Sequence, residues 1–152
     1  MNTLLAKLKR AAILLAGISA ASIPTWVHAD WSITGLGTLG GQSSYATGIN
    51  DSGQVVGYSK TANGDIHAFI TGPDGIGMTD LGTLGGSYSK ATGINDSGQV
   101  VGEAYLTGDG SFHAFITGPD GVGMTDLGTL GGTHSWATGI NDSGQVVGGA
   151  YL

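Results

Sequence analysis

The chain has 152 residues, including 30 glycines and no cysteine, and a formal charge of −6. The lack of cysteine excludes disulfides, thiolate nucleophiles and cysteine-ligated zinc. Glycine is well above its average usage, but proline numbers only 3 and aliphatic residues recur at fixed places, which argues against a disordered chain. We therefore expect a folded protein that is stabilised mainly by sheet packing.

The N-terminus has the pattern of a secretory signal peptide. Three basic residues precede an apolar run over residues 11–23, and Val27 and Ala29 lie three and one positions before the predicted cleavage point. The run is shorter than the roughly 20 residues that span a bilayer. The sequence therefore predicts a signal helix over residues 1–29 that is removed on export. We expect the processed chain, residues 30–152, to be extracellular, at the cell surface or periplasmic, without a membrane span.

The predicted processed chain is strongly acidic. It contains all eleven acidic residues of the sequence but only two bases, Lys60 and Lys90, so its formal charge is −9. A nucleic-acid partner requires a basic surface to displace counterions from phosphate. Anionic lipid requires one for the same reason. We therefore predict no nucleic-acid partner and no binding to anionic membranes.

Three copies of the motif ATGINDSGQVVG organise the processed chain, and the block LGTLGG precedes each copy. Two blocks in a fixed order at a fixed spacing indicate a repeat protein. We place the repeats at about 36–80, 81–126 and 127–152, the last of them truncated. The motif copies lie at residues 46–57, 91–102 and 137–148, and the LGTLGG blocks begin at Leu36, Leu81 and Leu127.

The sequence of each full repeat predicts four short strands. In the first repeat they cover residues 45–50, 54–59, 66–71 and 77–82, with a tight turn at 72–75 in which proline fixes φ. Glycines interrupt every window long enough for a helix. Because the connections are short, we expect successive strands to pair antiparallel as a meander.

Four antiparallel strands in a repeat of 45 or 46 residues match one blade of a β-propeller. We predict an all-β fold: a β-propeller-like array of four-stranded blades, incomplete at about two and a half repeats. A β-solenoid and a flat sandwich are the alternatives, although solenoid coils are usually shorter and a sandwich has no need of a repeated sequence. Such an open array exposes strand edges, which favours self-association. The residues predicted to pack between blades are Val55, Val56, Ala68, Phe69 and Ile70.

Three motifs in fixed order carry a family resemblance. They are DLGTLGG at residues 80–86 and 126–132, GINDSGQVVG within each motif copy, and the triplet His-Ala-Phe at 67–69 and 113–115. Together they resemble the HAF family of bacterial extracellular repeat proteins, which takes its name from the triplet. The resemblance covers residues 36–152 and implies an exported repeat protein. It transfers no catalytic residue.

The Asn-Asp-Ser-Gly turn within each motif has two interpretations. Its oxygens are of the kind that calcium prefers, which makes Asp51, Asp96 and Asp142 calcium candidates, but one turn supplies about three of the six to eight ligands required. Alternatively, Asn and Asp satisfy the turn backbone and glycine takes positive φ. We favour this structural interpretation and predict no cofactor. The residues assigned a structural role in the repeats are Gly48, Asn50, Gly53, Gly57, His67, Gly93, Asn95, Gly98, Gly102, His113, Gly139, Asn141, Gly144 and Gly148.

The sequence predicts a non-catalytic binding or scaffold module, with a surface glycan or a protein as its partner. We expect binding in the variable stretches 58–66 and 103–112 and at Tyr45, Tyr88 and Trp136, whose rings would stack on sugars or pack between repeats. No serine lies in a nucleophile elbow, and the acids and histidines recur with the repeat, so we predict no catalytic residue. The alternatives are a fragment of a larger secreted propeller hydrolase and a calcium-stabilised structural repeat protein.

Overall fold

A computed structural model describes residues 33–152, which are all-β, as the sequence predicts. Leu36–Leu152 forms one compact unit. The predicted signal helix, residues 1–29, lies outside the described residues. In the part of the chain that the structure describes, no helix is both long and apolar enough to cross a membrane.

The first repeat is an antiparallel meander of four strands: β1 (Gly40–Ile49), β2 (Val55–Thr61), β3 (Ile66–Thr71) and β4 (Met78–Gly82). The four predicted strands are therefore confirmed. β1 begins earlier than predicted because Gly40 already pairs with Thr61 of β2, before an irregularity in the register. The sequence did not predict this start because the LGTLGG block is rich in glycine.

The second repeat forms the same meander, and the third contributes an antiparallel pair. A short 3₁₀ turn precedes β4 at Pro73–Gly75, and its equivalent precedes β8 at Pro119–Gly121. The remaining strands are β5 (Gly85–Ile94), β6 (Val100–Leu106), β7 (Phe112–Thr117), β8 (Met124–Asp126), β9 (Ser135–Ile140) and β10 (Val146–Ala150).

A single parallel bridge joins the sheets of the first two repeats. Ile66 at the start of β3 pairs with Tyr88 in β5, so that β1 to β8 form one mixed sheet of eight strands. β9 and β10 form a separate two-stranded sheet. Within residues 33–152 the eight-stranded sheet is open.

The repeats pack face against face. Alternate side chains of β2 and β3 point to one side of the first repeat, which we call its forward face, and meet the backward face of the second repeat. The forward face of the second repeat meets the third in the same way. The first contact joins Val56, Ala68 and Ile70 to Ala91, Val100, Ala104 and Phe115, and the second joins Val101 and Ala114 to Ala137.

Three of the five predicted packing residues occupy the contact between repeats. Val56, Ala68 and Phe69 are fully buried, Ile70 is 3% exposed and Val55 is half-buried. Of these, Val56, Ala68 and Ile70 contact the second repeat. Burying a side chain such as Val56 or Ile70 contributes about 1.5 to 3 kcal/mol, so apolar contact between repeats is a main source of stability.

Candidate functional site

The turn between β1 and β2 is organised by the side chain of Asn50. Its Oδ1 accepts hydrogen bonds from the backbone N–H groups of Ser52 and Gln54, at 3.1 and 3.0 Å. Its Nδ2 donates to Oε1 of Gln54 at 2.7 Å. The side chain thus satisfies backbone groups for which the turn offers no strand partner. Equivalent bonds surround Asn95 and Asn141.

The first two copies of the motif also each bond to the next copy along the chain. The first repeat donates to the second from Thr47 Oγ1 to Ala91 O (2.8 Å), from Asn50 Nδ2 to Asn95 O (3.0 Å) and from Asp51 N to Asp96 Oδ1 (2.9 Å). The second donates to the third from Thr92 Oγ1 to Ala137 O (2.8 Å), from Asn95 Nδ2 to Asn141 O (3.1 Å) and from Asp96 N to Asp142 Oδ1 (3.0 Å). We call this line of bonds the seam. It gives the repeated motif a structural task, since every copy must match its neighbour.

The seam engages two of the three calcium candidates. The carboxylates of Asp96 and Asp142 each accept a backbone N–H from the preceding turn. Among residues 33–152 no group of three or more His, Cys, Asp or Glu side chains is arranged to hold a metal ion. Calcium binding at Asp51, Asp96 and Asp142 stays a prediction.

The glycines of the motif lie where backbones turn sharply or approach closely. Gly98 in the second turn has a φ of 74°, in the left-handed region that favours glycine. A Cβ at Gly102 would overlap the carbonyl oxygen of Lys90 on the paired strand. Across the seam, a Cβ at Gly93 would lie 3.4 Å from the Cα of Gly139. The corresponding glycines are Gly53 and Gly144 in the turns, Gly57 and Gly148 on the paired strands, and Gly48 at the first seam position.

The two histidines of the His-Ala-Phe triplets each contact an aspartate of their own repeat. His67 Nδ1 lies 2.8 Å from Asp80 Oδ2, and His113 Nδ1 lies 2.8 Å from Asp126 Oδ2. Asp80 Oδ1 also accepts the backbone N–H of Gly82 at 2.7 Å. Each pair therefore ties the third strand of its repeat to the end of the fourth, with the same geometry in both repeats.

Aromatic side chains of the second and third repeats form a continuous row. Neighbouring ring centroids along it are 4.4 to 5.8 Å apart, which suits stacked and edge-to-face contacts. We call this set the aromatic row. In order of contact it consists of Tyr88, Tyr105, Phe112, His134, Tyr151 and Trp136.

A stacked pair of tyrosines lies at the first-repeat end of the row. The rings of Tyr45 and Tyr58 are 5.1 Å apart and nearly parallel, at 21°. Nζ of Lys90 lies 5.6 Å from the centroid of Tyr58. Lys90 and Tyr88 are two positions apart on β5 and share one face of the strand. Tyr45 is 56% exposed, so this end of the row offers an aromatic ring to solvent.

The phenol of Tyr88 remains protonated over the whole physiological range. Its pKa is raised from 10.0 to about 12, chiefly by burial, then by the carboxylate of Glu103, with smaller contributions from Tyr58 and Tyr105. The row therefore presents neutral hydroxyl groups and aromatic faces beside one carboxylate.

The variable connection between β6 and β7 is fixed by Asp109. Its Oδ1 accepts the backbone N–H of Ser87, and its Oδ2 accepts the Ser87 hydroxyl, both at 2.8 Å. Both bonds lower the pKa of the Asp109 carboxyl, and the bond from the Ser87 backbone has the larger effect. The second repeat is one residue longer than the first, and the extra residue lies in this connection, between Leu106 and Phe112.

The aromatic row includes two of the three predicted binding residues, Tyr88 and Trp136, and Tyr45 lies at its first-repeat end. Sequence reasoning did not single out the other rings, although hairpin register was an available signal. Tyr105, for example, lies opposite Phe112 across the β6–β7 hairpin. The rings that were not singled out are Tyr58, Tyr105, Phe112, His134 and Tyr151.

The seam and the aromatic row differ in kind. The seam uses the same residues in every repeat, whereas one position of the row is Ser43, Tyr88 or His134 in successive repeats. Comparison of the chain with protein-family models, with curated proteins and with solved structures finds no match. The row is accordingly the best candidate for a binding surface among the described residues, because its composition is not dictated by repeat packing.

Proposed function

We propose that this chain is an exported, non-catalytic repeat protein that binds a carbohydrate along the aromatic row. The observation that carries the proposal is the continuity of the row, six rings in successive contact across two repeats. Tyrosine and tryptophan combine an apolar face with a polar edge. A pyranose ring presents the complementary surfaces, a C–H face and a rim of hydroxyl groups.

Charge favours a neutral glycan as the ligand. The predicted processed chain has a formal charge of −9, which repels phosphorylated or carboxylated polymers. Glu103 supplies an acceptor for sugar hydroxyls, and the protonated phenol of Tyr88 supplies a donor.

The proposed architecture is a β-propeller-like array of blades, as the repeat length and the four strands in each full repeat predict. Two observations support it: the four-stranded antiparallel meander in each full repeat and the face-to-face packing of successive repeats. The signal-peptide pattern over residues 1–29 supports export. The repetition of the histidine–aspartate contacts supports a non-catalytic role, because a reactive centre is ordinarily single.

Binding to an array of neutral polysaccharides tests the proposal, with Trp136→Ala, in the row, and Tyr45→Ala, at its first-repeat end, as the row variants. We expect each variant to bind a retained glycan about 5-fold more weakly, since loss of one ring contact costs on the order of 1 kcal/mol. Val122→Ala is the matched control, because Val122 is 72% exposed on the connection before β8. Retention of no neutral glycan, or unchanged binding by both row variants, would overturn the assignment.

A purely structural role for the row is the second candidate. The rings of Phe112 and His134 are 4.4 Å apart and connect the second repeat to the third. If the row is purely structural, Phe112→Ala lowers the free energy of unfolding, and Tyr45→Ala leaves binding to any partner unchanged. Carbohydrate binding by the row instead makes the Tyr45 variant defective in binding while its stability stays close to that of the parent chain.

A further inference from the structure

We propose that a second copy of this chain docks its first repeat onto the third repeat, so that the seam continues from one molecule into the next. The contact is head to tail: the forward face of the third repeat meets the backward face of the first. Its partner is therefore this same protein.

Each face exposes an apolar side chain at a position that packs between repeats elsewhere in the chain. On the forward side, Val147 of the third repeat is 64% exposed, whereas its equivalents Val56 and Val101 are fully buried. On the backward side, Ile49 of the first repeat is 68% exposed, whereas its equivalent Ile94 packs against the core between repeats. Each exposed side chain thus matches one that packs between two repeats of the same chain.

The hydrogen-bonding groups at the two ends are complementary as well. Every seam bond runs from a donor in one repeat to an acceptor in the next. Within residues 33–152 the third repeat has the donors without a following repeat, and the first has the acceptors without a preceding one. The donors are Thr138 Oγ1, Asn141 Nδ2 and the Asp142 N–H, and the acceptors are Ala46 O, Asn50 O and the Asp51 carboxylate.

The third repeat also has space for the incoming turn. A groove of about 520 Å³ lies at the turn end of the third repeat, lined in part by Gly139, Asn141 and Val147. The corresponding residues of the second repeat, Gly93 and Asn95, contact the third repeat across the seam. The groove therefore lies where another Asn-Asp-Ser-Gly turn belongs.

Such a contact joins two different surfaces of the same molecule. A heterologous interface of this type produces closed rings or open chains, and it does not produce a two-fold symmetric dimer. Pairing of the exposed edges of β1 or β10 would instead use backbone groups and would not require apolar side chains at Ile49 and Val147.

Light scattering on the full chain, processed as the cell processes it, tests the proposal through two variants that each block one face. Ile49→Asp removes the backward face and Val147→Asp the forward face, and both side chains are exposed in the single chain. Val122→Asp, 72% exposed, is the control for the added charge. We expect the parent and control chains to gain mass with concentration and each face variant to stay monomeric.

A mixture of the two face variants provides the decisive measurement. Each variant retains the face that the other has lost, so an equimolar mixture should form a 1:1 dimer and no larger species. A parent chain that stays monomeric overturns the proposal, as does association that survives both substitutions. A mixture that does not form the dimer also overturns it, because head-to-tail docking requires only one intact face of each kind.

Discussion

The side chain of Asn50 donates a hydrogen bond to the carbonyl oxygen of Asn95 at 3.0 Å while it also closes its own turn. Asn95 makes the same bond to Asn141, at 3.1 Å. One asparagine per repeat thus serves both local and long-range structure. Only the middle copy contacts a described repeat on each side, so equivalent substitutions should have unequal effects.

The first prediction concerns this inequality. Asn95 is 3% exposed and Asn141 is exposed. We expect Asn95→Ala to lower the free energy of unfolding by about 2 to 3 kcal/mol, because several hydrogen bonds are lost and buried partners are left unsatisfied. Asn141→Ala, the matched control, should cost about 1 kcal/mol or less. Urea denaturation measures both, and equal effects would contradict a seam centred on Asn95.

The second prediction concerns close approach of two strands. Gly102→Ala would place a methyl group on the carbonyl oxygen of Lys90, and relief of that overlap requires the β5–β6 pair to separate. We expect a loss of about 2 kcal/mol or more. Gly110→Ala is the control, since no heavy atom lies within 4 Å of a Cβ there. Thermal unfolding compares the two, and a tolerant Gly102 would show that the strand contact is not tight.

The third prediction concerns the ionisation of Tyr88. Its pKa of about 12 in the folded chain exceeds the ordinary 10.0. The contribution of this group to the free energy of unfolding is therefore fully present below pH 10 and is lost as the pH rises toward 12. Glu103→Gln should lower this pKa but leave it above the ordinary value, because burial is the larger cause.

Ultraviolet titration of the tyrosines measures this pKa. Tyr88→Phe assigns the signal, since the late transition should disappear from its titration curve. A late transition that survives in Tyr88→Phe, or that is unaffected by Glu103→Gln, would contradict the assignment.

The fourth prediction concerns export. Secretion in a bacterial host should yield a chain that begins at Asp30, as determined by mass spectrometry of the N-terminal peptide. Ala29→Arg should block this cleavage, because the position before the cut requires a small residue. Thr25→Arg places the same charge upstream and should be processed. An unprocessed parent chain would remove the signal-peptide interpretation.

Much of the strand pattern could be predicted because local chemistry determines it. Proline and glycine at residues 72–75 impose a tight turn, and the apolar triplets that follow His67 and His113 form buried strands in both full repeats. The start of β1 was not predictable in this way. Its pairing of Gly40 with Thr61 depends on a partner strand and not on the preferences of glycine.

The contacts between repeats were beyond local reasoning. Identical motifs indicate that the copies share a fold, but they do not show that Asn50 reaches Asn95 one repeat away. The aromatic row could not be predicted from the sequence for a related reason. Tyr105 and His134 occupy different positions of their repeats and come together through Phe112, so that no single repeat contains the pattern.

Amide hydrogen exchange at Asp51, Asp96 and Asp142 tests most directly whether the motif joins one repeat to the next. The three residues occupy the same position of the same turn, so each serves as a control for the others. In dilute solution, where copies of the chain are separate, we expect slow exchange at Asp51 and Asp96, whose N–H groups donate to the next repeat, and fast exchange at Asp142. Equal exchange at all three positions would contradict the seam.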